Sequence, residues 1–287
     1  MVHIISVLVK ISVKLMMFVH KMKSSTFKLL CLFLLFNSSL CAQSLTSLTQ
    51  VSAVANIDTS LPTSGGLIYG SDAHIFQFDV GTQLATVNLD LGQLDQAGID
   101  GFHKTGDGCG DSIYSLDNTA MISGTAMRSA DVFTAAGVKI LDAESAGIPS
   151  GINITAVSRE INTCDLVVSV DSIVNLNGIV FKPDDLIKWS GGTNFILYYA
   201  TDLGANIDAL HILSSSRLLL SLDISKSLNG IEIHDESVIE TDSSNSFQLL
   251  AFEPLVFDES WASADLNALW VQRVPIVDFM FSDGFEN

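Results

Sequence analysis

Ile207-Asp208-Ala209-Leu210-His211-Ile212-Leu213, followed after a short turn by Leu218-Leu219-Leu220-Ser221-Leu222-Asp223, is the clearest copy of a unit that recurs along the chain. Its second element ends in Ser221-Leu222-Asp223, and the same ending occurs as Ser115-Leu116-Asp117 and Ser169-Val170-Asp171, spaced 54 and then 52 residues apart. Seven residues beyond each Asp stands Gly124, Gly178 or Gly230, preceded by Ser123, Asn177 or Asn229. Asn-Gly between apolar runs signals a hairpin, because both central residues of a type I′ turn take positive φ. A polar kink and a short apolar strand follow at residues 127–133, 181–187 and 233–239, and a closing strand at 138–141, 195–199 and 247–252.

Such short runs, rich in β-branched and aromatic residues and separated by Gly, Asn, Asp and Ser, predict strands. Each unit therefore reads as a four-stranded antiparallel meander of roughly 55 residues. A further copy near the N-terminus has Asp58 seven residues before Gly65, a kinked strand at 71–76 and a closing strand at 84–89, but no first strand. That strand stands at the far end, as Leu266-Asn267-Ala268-Leu269-Trp270-Val271, to match residues 99–103, 152–156 and 207–211. A repeat split between the two termini signals a closed ring, since the last strand completes the first sheet and removes free edges. The expectation is an all-β fold, a four-bladed β-propeller; a β-sandwich or an open stack of repeats is the alternative.

The pattern [Ile/Leu]-[Asp/Asn]-Ala-Leu, Ser-[Leu/Val]-Asp, Asn-Gly and a kinked Asp-[Asp/Glu] strand resembles a repeat of uncharacterised secreted bacterial proteins, over about residues 50–272. Ile207-Asp208-Ala209-Leu210 is also similar to the signature that opens each blade of hemopexin-like four-bladed propellers. That resemblance implies the architecture and an ion in the central channel, not heme or matrix binding. The tail from Val277 to Asn287, with Phe281-Ser282-Asp283-Gly284-Phe285-Glu286, resembles an ending found on exported gammaproteobacterial proteins and implies recognition by an export or surface machinery.

Three regions follow: a signal region at 1–42, a repeat domain at 43–273 and a tail at 274–287. Residues 22–42 have the order of a secretory signal, with Lys23 and Lys28 ahead of an apolar run at 29–36 and a small-residue exit at Ser38-Ser39-Leu40-Cys41-Ala42. Cleavage is expected after Ala42. Lipidation at Cys41 is disfavoured by Leu40, and Met22 is a candidate for the true start. The mature chain is expected to be secreted, periplasmic or at the bacterial cell surface, without a transmembrane anchor, and monomeric. It keeps Cys109 and Cys164, at corresponding positions of adjacent repeats, as a candidate disulfide.

The formal charge is −18; five of the 14 basic residues lie before residue 43, where there are no acidic ones, so nine face 32 acidic residues beyond it. Such an excess repels phosphate backbones, and no basic patch offsets it, which excludes nucleic acid as a partner.

Aligned on their first strands, the units place Asp100, Asn153, Asp208 and Asn267 at one level, a candidate set of oxygen ligands for Ca²⁺. His103 and His211 share the next column with Ala156 and Trp270, but no His-Glu-x-x-His or clustered Cys/His spacing completes a metal set. Asp58, Asp117, Asp171 and Asp223, repeated at one place in every unit, read as turn-closing residues. Gly106-Asp107-Gly108-Cys109-Gly110-Asp111 lacks the helix and Lys-[Ser/Thr] of a phosphate loop and reads as a hairpin turn. Gly-x-Ser-x-Gly is absent. The expected function is a non-enzymatic binding or surface-associated module for an extracellular or envelope ligand. The alternative is an extracellular hydrolase or lyase using loop carboxylates such as Glu253, Asp258 and Glu259.

Overall fold

A computed structural model describes residues 48–55, 60–63, 66–69, 74–79, 84–90, 97–104, 108–228, 230–235, 237–242, 247–249 and 266–273. The signal region, the tail, Asp58, Gly65, Asn229 and the carboxylates Glu253, Asp258 and Glu259 lie outside these residues. No helix occurs among the described residues, so none there is long and apolar enough to cross a membrane.

The chain runs from β1 (Leu48–Ala55) through a small hairpin, β2 (Ser60–Thr63) and β3 (Gly66–Tyr69), to β4 (His74–Asp79) and β5 (Leu84–Asp90). The next unit has β6 (Ile99–His103), β7 (Ile113–Leu116), the hairpin β8 (Ala120–Ile122) and β9 (Thr125–Met127), then β10 (Val132–Thr134) and β11 (Lys139–Leu141). It is followed by β12 (Ile154–Arg159), β13 (Leu166–Val170), the hairpin β14 (Val174–Leu176) and β15 (Ile179–Phe181), β16 (Asp185–Trp189) and β17 (Phe195–Ala200). The last full unit has β18 (Ile207–Ser214), β19 (Arg217–Leu222), the hairpin β20 (Lys226–Leu228) and β21 (Ile231–Ile233), β22 (Ile239–Asp242) and β23 (Phe247–Leu249); β24 (Leu266–Arg273) stands alone at the end.

Three antiparallel sheets take their strands in chain order, β6-β7-β10-β11, β12-β13-β16-β17 and β18-β19-β22-β23. The fourth is β24-β1-β4-β5, in which Val51 pairs with Val271 and Ala53 with Leu269. Each unit thus carries six strands rather than four. The two-residue turn tips the separate small hairpin, not the main meander, and the kinked strand divides into one arm of that hairpin and the third strand of the sheet. Ser123 and Gly124 sit at φ 50° and 81°, and Asn177 and Gly178 at 53° and 82°, as a type I′ turn demands. The division falls where Asp131 accepts from Arg128 N–H at 2.8 Å and Asp185 from Lys182 N–H at 2.8 Å, turns that break the ladder.

Among the four sheets, β6 lies against β12, β12 against β18, β18 against β24 and β24 against β6. The second strand of each sheet touches the first strand of the next: β7 meets β12, β13 meets β18, β19 meets β24 and β1 meets β6. Apolar side chains fill the spaces between neighbouring sheets. Ile113, Val132 and Leu141 pack with Val157, Val168 and Ile187, whereas Ala156, Val167 and Leu186 pack with Leu210, Leu220 and Ile239. Adjacent residues of one strand therefore serve opposite layers, as the pleat requires. Ile99, Phe102 and Phe133 join Ala268 of β24 in a third layer. Each fully buried Val, Leu, Ile or Phe contributes about 1.5–3 kcal/mol, so these layers hold the sheets together.

Candidate functional site

The strand ladders fix which residues of the four first strands correspond. Gly101 pairs with Ser115, Ala156 with Ser169 and Ala209 with Ser221. The frame is therefore Ile99-Asp100-Gly101-Phe102, Ile154-Thr155-Ala156-Val157, Ile207-Asp208-Ala209-Leu210 and Leu266-Asn267-Ala268-Leu269. In the second copy it lies two residues beyond the one read from Ile152-Asn153. Thr155, not Asn153, shares the level of Asp100, Asp208 and Asn267, and Ser158, not Ala156, shares the column of His103, His211 and Trp270. The small third residue is the sequence signal for this frame. A Cβ on Gly101 would lie 2.4 Å from Ser115 Oγ and 2.6 Å from Val157 Cγ2, so the next strand and the opposed serine leave no room for more.

Asn153 still reaches the site from the residue before β12. Its Nδ2 donates to Asp100 Oδ2 at 2.5 Å, while its Oδ1 is buried without a hydrogen-bond partner among the described residues. Asp100 is 9% exposed. Thr155 Oγ1 donates to Ile207 O on β18 at 2.7 Å, and Asp208 is half-buried. Asn267 falls at this level on β24, between Leu266 and Ala268, which pair with Ala55 and Val54.

Three residues further along the strands, buried His103 and His211 face each other with ring centroids 6.3 Å apart and planes inclined by 25°. Ser158 Oγ accepts from Ile212 N–H at 3.2 Å and lies 3.4 Å from His103 Nδ1, so the hydroxyl proton is available to His103. Ser158 is wholly buried and engaged with the backbone of the next strand, a tie between strands rather than an accessible nucleophile. Among the described residues no three His, Cys, Asp or Glu side chains converge as a metal set.

Asp117, Asp171 and Asp223 each clasp the residue that precedes a first strand. The Asp N–H donates to the carbonyl of Gly98, Asn153 or Asn206 at 3.0–3.1 Å, and its Oδ1 accepts from the N–H of the same residue at 2.7–3.0 Å. These carboxylates lock the start of the first strand of each sheet to the end of the second. Burial holds the Asp223 carboxyl above the usual range.

At the opposite end of the strands, Cys109 and Cys164 form a disulfide with Cα atoms 5.2 Å apart, joining the β6–β7 turn to the β12–β13 turn. The described part of the glycine-rich segment, Gly108 to Asp111, is a turn with Gly108 at φ 88° and Gly110 at 93°. Beside it Lys188 Nζ lies 2.6 Å from Glu160 Oε2 and 2.9 Å from Asp165 Oδ2, a cluster that no sequence motif announces. Hydrogen bonds from Lys188 hold both carboxyls below their usual range, and Asp165 and Glu160 together hold the Lys188 ammonium above its own.

Fold and site together define an all-β protein of repeated antiparallel sheets with polar residues at corresponding positions of their first strands. No protein-family model and no curated protein matches the sequence. Solved structures similar in part include a streptogramin B lyase, 10% identical with a TM-score of 0.27 over 71% of this chain and 59% of that one. A Bacteroides caccae protein of unknown function is 8% identical, with a TM-score of 0.32 over 79% of this chain and all of that one. The extracellular domain of a one-component system protein from B. thetaiotaomicron is 12% identical, with a TM-score of 0.22 over 68% and 29%. The chain thus spans under two thirds of the length of the lyase.

Proposed function

We propose that the chain is an exported, non-enzymatic binding module built as a four-bladed β-propeller, with a cation held among the polar residues of its inner strands. The observation that carries this reading is the cyclic packing of β6, β12, β18 and β24, with β24 completing the sheet begun by β1. A cycle of four sheets related by one repeat leaves its first strands around a central axis, where Asp100, Thr155, Asp208 and Asn267 form one level. A hard cation such as Ca²⁺ suits an all-oxygen set of this kind. What supports an ion here is the charge of Asp100 and Asp208 and the buried Asn153 Oδ1, beside Asp100, which has no hydrogen-bond donor among the described residues. Ligand contacts then fall on the loops around this mouth. Export to an oxidising compartment agrees with the Cys109–Cys164 bond and with the signal-like residues 22–42. A hydrolase or lyase working through Glu253, Asp258 and Glu259 would use residues outside the described part of the chain.

Calorimetric and thermal-shift titration with Ca²⁺ tests the reading. Saturating Ca²⁺ raises Tm, because a ligand of the native state alone stabilises it, and Asp100→Asn with Asp208→Asn abolishes both heat and shift. No heat and no stabilisation in the parent chain would remove the ion from the proposal.

A further inference from the structure

His103 on β6 and His211 on β18 are 2% and 8% exposed, and the proposed oxygen-lined ion site does not use them. They come from alternate sheets, since β6 packs on β12 and β12 on β18, yet their ring centroids are 6.3 Å apart. Their partners across the ladders are Ile113 and Leu219, both buried and apolar. Imidazole is the side chain that transition metals take most often, and here two of them meet in a dry, fixed place.

The spacing suits an ion between the rings. A metal about 2 Å from one nitrogen of each imidazole, on a straight line, sets the ring centres about 6 Å apart. The inclination of 25° is no obstacle, because each ring can twist about such a line. Ser158 Oγ lies 3.4 Å from His103 Nδ1 and already accepts from Ile212 N–H. With a metal in place its second lone pair takes Nδ1–H, which directs His103 Nε2 to the ion as an outer acceptor orients a ligating histidine.

The same column supplies little else. Its other two first-strand positions hold Ser158 and Trp270, and an indole N–H only donates. Zn²⁺ takes about four ligands and Ca²⁺ about six to eight oxygens, so neither is satisfied by this pair. A monovalent ion that accepts two nitrogens in line is. Thiolate would take so soft an ion from imidazole, but Cys109 and Cys164 are bonded to each other.

We propose that His103 and His211 bind copper(I) as a two-coordinate pair, one imidazole nitrogen from each. Binding forms two Cu–N bonds and changes no oxidation state. The pair stands three residues along the strands from Asp100 and Asp208, about 10 Å at the rise of a strand, so it does not depend on an ion there.

Anaerobic titration with copper(I) against the chromophoric chelator bicinchoninate, with X-ray absorption at the copper edge, tests the site. The protein is the full chain carrying Cys31→Ser and Cys41→Ser, which leaves only the bonded cysteines. The expected result is one copper(I) per chain, with imidazole nitrogens and no sulfur around it. His103→Gln and His211→Gln each weaken binding at least about a hundredfold, whereas Asp100→Asn with Asp208→Asn leaves it unchanged. Urea midpoints verify that the variants fold. Should a histidine variant unfold, a chain with His3, His20, His74 and His234 all replaced by Gln gives the answer, since it retains only His103 and His211 and keeps the two-nitrogen spectrum. Copper(I) lost wholly to the chelator, a sulfur ligand, affinity indifferent to both histidine variants, or loss of the spectrum in the four-Gln chain overturns the proposal. An aspartate effect as large as that of the histidines overturns it too, by placing the copper at the other level.

Discussion

Asp171 engages both backbone groups of Asn153, donating its own N–H to the carbonyl and accepting the N–H on its carboxylate. Asp171→Ala removes only the second bond and strands a donor, at a cost of about 1–3 kcal/mol. Asp171→Asn keeps an oxygen in place and is expected to lose clearly less. Urea midpoints of the two variants give the comparison, and equal losses would show that the charge, not the acceptor, matters. The repetition of this Asp was legible in the sequence because one bond pair recurs in each described copy. The position of Asn153 was not. Ile152-Asn153 imitates Ile99-Asp100 in residue type, while the true frame follows the small buried residues Gly101, Ala156, Ala209 and Ala268, and at Gly101 the steric demand becomes apparent only when the neighbouring strand is in place.

Strands and turns were legible for a local reason: alternation and turn chemistry act within a few residues. Positive φ at Asn177-Gly178 and Ser123-Gly124 is such a local requirement. The two-stranded hairpin inserted in each unit was hidden, because three-residue arms separated from the sheet by an Asp turn look like one kinked strand. The Lys188 cluster was hidden too, since Glu160 and Asp165 come from one turn and Lys188 from β16. Its carboxyls ionise more readily in the folded protein than in the unfolded chain. Their contribution is complete above the ordinary carboxylate range and is lost as pH falls through their depressed folded values. In Lys188→Met this acid-range loss shrinks, so a plot of urea midpoint against pH falls less steeply on the acid side than for the parent chain. Parallel acid limbs would mean that the cluster carries no linkage.

For the whole molecule, the disulfide spans 55 residues of sequence and ties two neighbouring sheets at one end. Cross-linking a loop of that length restricts the unfolded chain by about 4 kcal/mol in the chain-entropy account. The double variant Cys109→Ser/Cys164→Ser is therefore expected to lose about 2–4 kcal/mol in chemical denaturation, and reduction of the parent should match it. Agreement between the two would place the effect in the bond itself rather than in the serines. The pairing of β1 with β24 also sets the order of events in synthesis. During synthesis β1 is made before the other described strands, yet its partner β24 is the last of the described strands to be made. Until then the leading sheet keeps an open edge that soluble proteases and other nascent chains can reach, and a product cut short before β24 can never close it. Closure of this sheet thus waits on β24, the last of the described strands, as its latch.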